Sequence, residues 1–342
     1  MRLGSGIGRD NPAALAKRAQ SLEKAGVEVL WASELHGFDG VSLMGFLACA
    51  TETVQIGSSI LPFYSRTPTL LAMSAAGIDA LSGGRCILGI GSSGPQVIEG
   101  FHGVPFDAPV GRVEEIIDIC RTVWRREPIN HQGRHYRIPL PPGEGLGLGK
   151  PLKMIDHPVR DRIPIFVASL GPKNVESTAR YADGWLPIFF WPERVGEVWG
   201  EPLARGAKQR DPSLDPLEIV AGGTVAIGDD LEELRQAARP QLALYIGGMG
   251  AADMNFYNDL ACRYGLEDAA KRIQELYLDG HKEEAAREVP QELIDATSLI
   301  GPAGFVRDRV AAYKEAGVTI LNARFAGPDR ERTIAQLREW MA

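Results

Sequence analysis

The sequence predicts an α/β protein, a (β/α)8 TIM barrel with insertions, and three observations predict it. Short continuous Val/Ile/Leu-rich runs recur along the 342 residues. Runs without polar alternation are strands buried on both faces, as in a parallel sheet. One junction recurs with them: LEKAGVEVLWAS (22–33) and YKEAGVTILNAR (313–324) each end a helix, place Ala-Gly, and start a strand. The runs number about eight at ~30–40 residue spacing, which is the length of a βα unit.

Strands are expected at 2–7, 27–32, 54–60, 86–91, 163–168, 184–188, 218–226 and 318–323. Gly26, Gly317, the pair Gly83-Gly84 and Gly184 stand where a helix C-cap wants positive φ. Asn11-Pro12, Thr67-Pro68 and Gly171-Pro172 open helices, with good cap types at Asn11 and Thr67 and proline suited to the first helical position. A doubly wound sheet is the competing architecture, but it needs a dinucleotide fingerprint after the first strand. GSGIG at 4–8 lacks the third glycine that would open the next helix.

Two stretches interrupt the repeat. Residues 126–160, rich in Gly and Pro and poor in periodicity, are expected to form a flap or short hairpin across the barrel mouth. Residues 250–300 carry apolar residues at helical spacing and read as extra helices before the last strand. Neither holds enough apolar residues for a core of its own, so 1–342 is expected to be one domain.

Composition narrows the function. Hydrophobic residues at 44% and charged residues at 24% suit a globular enzyme. A net charge of -7 disfavours nucleic acid and anionic membrane as partners. MRLGSGIGRD lacks the apolar core of a signal peptide, and no apolar run is long enough for membrane insertion. Cys49, Cys86, Cys120 and Cys262 are scattered without metal spacing, as are the six histidines. Reduced thiols, no metal and a cytoplasmic location are expected.

In such a barrel the chemistry lies where strands end and helices begin. After the second strand come Glu34 and His36, a carboxylate and an imidazole suited to acid–base work, although pairing with loop backbone or solvent would explain them equally. After the third, the small Ser58 and Ser59 precede Ile60 and would let a bulky group approach the backbone. After the fourth, Ser92, Ser93, Gly94, Pro95 and Gln96 form a Gly/Ser loop with amides and hydroxyls for a phosphate. After the fifth, Ser169, Leu170, Gly171, Pro172 and Lys173 offer amides at a helix start. Each loop alone could be an ordinary turn; two on neighbouring strands point to a phosphate-bearing ligand. Phe189 and Phe190 make an aromatic lip, which helix packing would also explain, and Asn255 and Tyr257 could overhang the pocket.

The run SRTPTLLAMSAAGIDALSGGRCILGIGSSGPQVIEGFHGVPF (65–106) resembles the bacterial luciferase-like monooxygenase superfamily. ASLGPKN with ADGWLP (168–187) and GGMGAADMNFYNDLACRYG (247–265) resemble its branch using coenzyme F420, a 5-deazaflavin, related to methylenetetrahydromethanopterin reductase. The resemblance covers almost the whole chain. It implies a homodimer and a coenzyme phosphate on 168–173 beside 92–96. It also implies a non-prolyl cis peptide at Ser59–Ile60 behind the ring, and Glu34 or His36 near the reactive centre. Relatives place an acid and His side by side; here Leu35 separates them, leaving open which handles a proton. The implied activity is hydride transfer between the deazaflavin and a small-molecule substrate bearing a carbonyl, imine or activated C=C. His36 is the first choice of proton donor and Glu34 the second. Phe63, Arg66, Phe189, Phe190, Asn255 and Tyr257 are the candidate substrate contacts. With Arg66 the one evident cation, an uncharged or apolar substrate is expected. The alternatives are an FMN-dependent two-component monooxygenase and a non-catalytic flavin- or deazaflavin-binding barrel.

Overall fold

Eight parallel strands close into a barrel in the computed structural model, which describes residues 1–8, 11–327 and 329–342. They are β1 (Arg2–Gly6), β2 (Val29–Ser33), β3 (Gln55–Pro62), β4 (Cys86–Gly91), β5 (Ile165–Val167), β6 (Gly184–Trp185), β7 (Glu218–Ala221) and β8 (Ile320–Asn322). Each pairs with its neighbours in sequence, and β8 closes on β1 in the register Arg2↔Ile320. Inside, Trp31 and Phe166 pack with ring centroids 5.9 Å apart. Gly4 and Gly57 make room for the indole, since a Cβ on either would overlap it.

The caps obey local chemistry. Asn11 and Thr67 accept from the amides of Ala14 (3.0 Å) and Leu70 (3.2 Å). Gly26, Gly83, Gly84 and Gly317 take φ of 98°, 68°, 91° and 86°. Gly184 is the exception: it lies inside β6, where the Phe166 ring covers its Cα, and Ala182 with φ of -86° caps the preceding helix.

The expected strand at 218–226 is broken by Gly222-Gly223. Its second half, Thr224–Ile227, leaves the barrel and pairs in parallel with Leu299–Gly301 and Arg324–Phe325. A Cβ on Gly223 would overlap the Thr297 carbonyl, so the crossing needs glycine. Residues 126–160 do form a hairpin, His131–Gln132 with Arg137–Ile138, but not across the mouth. It lies outside the barrel wall because Glu115, on helix Pro109–Trp124, accepts the amides of Arg134, His135 and Tyr136. Residues 250–300 are helical as expected: Phe256–Arg263, Glu267–Leu278, Lys282–Arg287 and Gln291–Thr297. Tyr264 ties them to the loop after β6, donating to the Phe189 carbonyl (2.8 Å) and accepting from the Trp191 amide (3.2 Å). Cys86 and Cys120 are buried, whereas Cys49 is exposed. Among the described residues no helix is long and apolar enough to cross a membrane, and no cluster of side chains could hold a metal ion.

Candidate active site

A cavity of about 510 Å³ opens at the carboxyl ends of the strands. Its floor is made by the ends of β1, β2, β3, β7 and β8, and the segment Leu186–Phe189 forms one wall. Ser59 and Ile60 line it because β3 bulges there. Ala32 pairs with Ser58 and Ser33 with Ile60, while pairing to β4 jumps from Gly57 to Leu61. The Ser58 hydroxyl takes the place of the missing ladder bonds, donating to the Gly89 carbonyl (2.8 Å) and accepting its amide (2.7 Å). The bulge is built without the expected cis bond: Ser59–Ile60 is trans, and the cis peptide among the described residues is Ile138–Pro139.

Beside this mouth, the loops after β4 and β5 lie next to one another, joined by the Ala168 amide on the Ile90 carbonyl (2.9 Å). The second loop is fixed through its carbonyls. Ser169 O accepts Trp185 Nε1 (2.9 Å); Leu170 O accepts Trp199 Nε1 (2.8 Å) and an Arg263 N–H (3.0 Å). The buried Ser169 hydroxyl meets that of Thr178 at 2.9 Å. The amides of Leu170, Gly171, Lys173 and Asn174 meanwhile have no acceptor among the described residues. In the first loop Gly94 starts the short helix Pro95–Gly100, Ser93 is left-handed at φ 58°, and Gln96 is exposed. Gly94 and Gly171 share a property: both have ordinary φ, and a Cβ on either would meet no atom within 4 Å. Neither backbone strain nor internal packing demands glycine there.

Glu34 is buried and fully engaged. Arg66 grips it with two N–H groups at 2.6 and 2.8 Å, and the Gly40 amide donates at 2.5 Å. The same guanidinium reaches Asp39 (2.6 Å), which caps the helix Gly40–Ala50 through the Ser42 amide. Burial pulls the Arg66 pKa down, but the two carboxylates outweigh it and raise the value. Arg66 therefore staples the post-β2 loop to the post-β3 loop and does not line the mouth. His36 rides that stapled loop, exposed and 5.9 Å from the Phe101 ring, and is not among the residues lining the cavity.

The remaining aromatic candidates separate. Phe189 lines the mouth with a left-handed backbone (φ 52°), edge-on to Tyr245 at 5.2 Å. Phe190 is buried against Trp185, Trp199 and Tyr313 and belongs to the core, not the lip. Tyr257 stands behind Phe189, and burial raises its pKa, as it does that of Tyr245. Asn255 is a helix cap, accepting the Tyr257 and Asn258 amides and donating to Tyr245 O and Ile246 O. Phe63 lines a separate cleft of about 400 Å³ with Tyr64, Arg66 and Arg112. Sequence reading missed Thr224, Gln241, Asn322 and Arg324, which line the mouth; Thr224 and Arg324 pair there beyond the strand break at Gly222-Gly223, and Asn322 ends β8 itself.

Residues 1–319 match the luciferase-like monooxygenase family model, and the chain belongs to that family. It is 41% identical over 98% of its length, and 99% of the relative's, to a Mycobacterium tuberculosis protein whose name assigns it provisionally to the coenzyme F420-dependent oxidoreductases. It is 27% identical to the 5,10-methylenetetrahydromethanopterin reductase of Archaeoglobus fulgidus, covering 91% of this chain and 90% of the relative. Two solved structures share the fold. One is the coenzyme F420-dependent tetrahydromethanopterin reductase of Methanopyrus kandleri (TM-score 0.79, 23% identity, 98% and 96% coverage). The other is an F420-dependent secondary alcohol dehydrogenase holding an F420–acetone adduct (TM-score 0.72, 18% identity, 100% and 99% coverage).

Proposed function

We propose that this chain is a coenzyme F420-dependent oxidoreductase that moves hydride between the deazaflavin and an organic carbonyl, imine or activated C=C. The observation that carries the reading is the amide cradle of the β4 and β5 loops, with open space beside Gly94 and Gly171 and the Ser169 and Leu170 carbonyls turned onto Trp185, Trp199 and Arg263. It suits the coenzyme's phosphate; relatives named for F420 add weight.

In this reading Ser92, Ser93, Gly94, Pro95 and Gln96 with Ser169, Leu170, Gly171, Pro172 and Lys173 hold the coenzyme's anionic end. The bulged Ser59 and Ile60 back its ring. The bound deazaflavin supplies the hydride carbon; the protein orients the acceptor and excludes water. Glu34 positions and His36 protonates, because both Glu34 oxygens already accept from Arg66 and Gly40. Phe189 and the segment before it hold the apolar part of the substrate.

A homodimer is part of the proposal. Met73 on helix Pro68–Ser82 lines one open apolar cleft with Leu152 and Ile155, all three exposed, and an exposed apolar cleft of this kind suits a protein partner such as a second copy. Free cysteines fit a cytoplasmic home.

Titration with F420 and with FMN, monitored by fluorescence, tests the reading. Saturable binding of F420, and turnover of a ketone and enone panel with its reduced form, is expected. Tight FMN binding with none of F420 would give the site to the monooxygenase alternative.

A further inference from the structure

The barrel mouth has two chemical faces. Ile60, Leu186, Pro187, Ile188 and Phe189 are apolar, whereas Thr224, Gln241, Ser298, Asn322 and Arg324 are polar. The chain as a whole is acidic, with 44 Asp and Glu against 37 Lys and Arg. Yet among the described residues the charged side chains lining this cavity are Arg18 and Arg324, with no carboxylate.

Arg324 is held by neutral acceptors. Nε and one terminal nitrogen donate to Thr224 Oγ1 (3.0 and 2.6 Å), and the other donates to Gln241 Oε1 (3.2 Å). These bonds orient the planar guanidinium of the exposed Arg324 without an ion pair among the described residues, with two of its five N–H donors to spare. No described acidic group lies in ion-pair range of it. The neighbouring Asn322 lines the same cavity and has its Oδ1 buried without a partner among the described residues. The wall therefore presents the two spare N–H donors of Arg324 on one oriented cation, with the Asn322 oxygen an unmatched acceptor beside them. A monoanion of planar, two-oxygen geometry matches the two Arg324 donors, because guanidinium and carboxylate pair through parallel hydrogen bonds, while Asn322 Oδ1 calls for a donor elsewhere on the same ligand or from water.

Position separates this group from the cofactor cradle. Arg324 lies just past β8, and β8 stands four strands from β4 in a closed ring of eight, on the opposite side of the mouth. A molecule whose anionic end lies on the β4 and β5 loops leaves the β7–β8 side to a second reactant.

We propose that Arg324, oriented by Thr224 and Gln241, binds a carboxylate of the substrate, whose apolar body lies along Leu186–Phe189. The proposal rests on the mouth being the substrate site of the reading above. It modifies the uncharged or apolar substrate expected from sequence, where Arg66, which is spent on Glu34 and Asp39, was the one evident cation.

Calorimetric titration of the intact protein with hexanoate and with hexanamide, which differ in charge and not in chain, tests it. Hexanoate should bind at least about 10-fold tighter to the wild type, and Arg324→Gln should bring the two within about 2-fold. Arg324→Lys should keep part of the preference, since charge remains and the fork is lost. Equal binding of the two ligands to the wild type overturns the subsite, and so does a preference that survives Arg324→Gln. The wild-type ratio alone decides if that variant is unstable. F420 titrated into the same variants assigns the arginine to one reactant: unchanged affinity supports a substrate contact, and a parallel loss overturns it in favour of the coenzyme's own acidic tail. A hexanoate preference in a protein that binds no F420 supports the subsite and overturns only the cofactor reading.

Discussion

Replacing Arg66 by methionine tests how the rim of the site is held. The side chains of Arg66 and Glu34 are 11% and 6% exposed, and the pair is bidentate at 2.6 and 2.8 Å. Removing one partner of a buried pair costs about 3–5 kcal/mol, because the other charge is left without compensation. The Gly40 amide still donates to Glu34 Oε2 at 2.5 Å, which lowers the expected loss to about 3 kcal/mol. Unfolding entropy of ~2.1 cal/mol/K per residue over 342 residues is ~0.7 kcal/mol/K, so Tm should fall by about 4 °C. Glu34→Gln should cost less, since Arg66 keeps Asp39 at 2.6 Å. Thermal and urea denaturation of the two single variants and the double variant measure the coupling. An Arg66→Met protein melting within about 1 °C of the wild type would refute the staple.

Gly171→Asp should leave Tm unchanged, since a Cβ there meets nothing within 4 Å, and weaken F420 binding about 10- to 100-fold through like-charge repulsion at the cradle. Fluorescence titration reads it, and unchanged affinity would remove the phosphate from this turn. Gly89→Ala should destabilise by at least about 3 kcal/mol, because the new methyl would overlap the Ser58 carbonyl at the bulge. A wild-type urea midpoint for that variant contradicts the bulge geometry. Stability should fall in acid. Burial raises the Glu23 and Glu115 carboxyls, but the amides of Thr53 and Val54 on the first, and His131 with the amides of 134–136 on the second, outweigh it and hold both below the ordinary 4.5. Their contribution is complete above that value and is lost as pH drops through the lower folded values. Glu115→Gln should therefore flatten the fall in urea midpoint between about pH 5 and about pH 3, and an identical slope would argue against it.

The barrel was legible because its signals are local. Ala-Gly at 25–26 and 316–317 fixes helix ends through positive φ, and Asn11-Pro12 and Thr67-Pro68 fix helix starts. Gly184 misled because a glycine after a helix can serve packing as well as φ; here it makes room for Phe166. The hairpin at 131–138 was expected over the mouth because nothing in its own sequence names Glu115 as its anchor. The open amides after β5, on which the proposed phosphate site rests, could be located from composition, since amides at a helix start need no particular side chain. Arg66 and Arg324 could not be told apart by type. The first is neutralised by residues 27 and 32 positions away, and the second reaches the mouth by leaving the barrel beside Thr224.

A crystal structure of the chain with F420 bound tests the central claim most directly. The anionic end of the coenzyme is predicted on the amides of Leu170–Asn174, with residues 92–96 beside it and the ring over Ser59–Ile60. Density for that end at Arg324, or anywhere away from the β4 and β5 loops, would contradict the account.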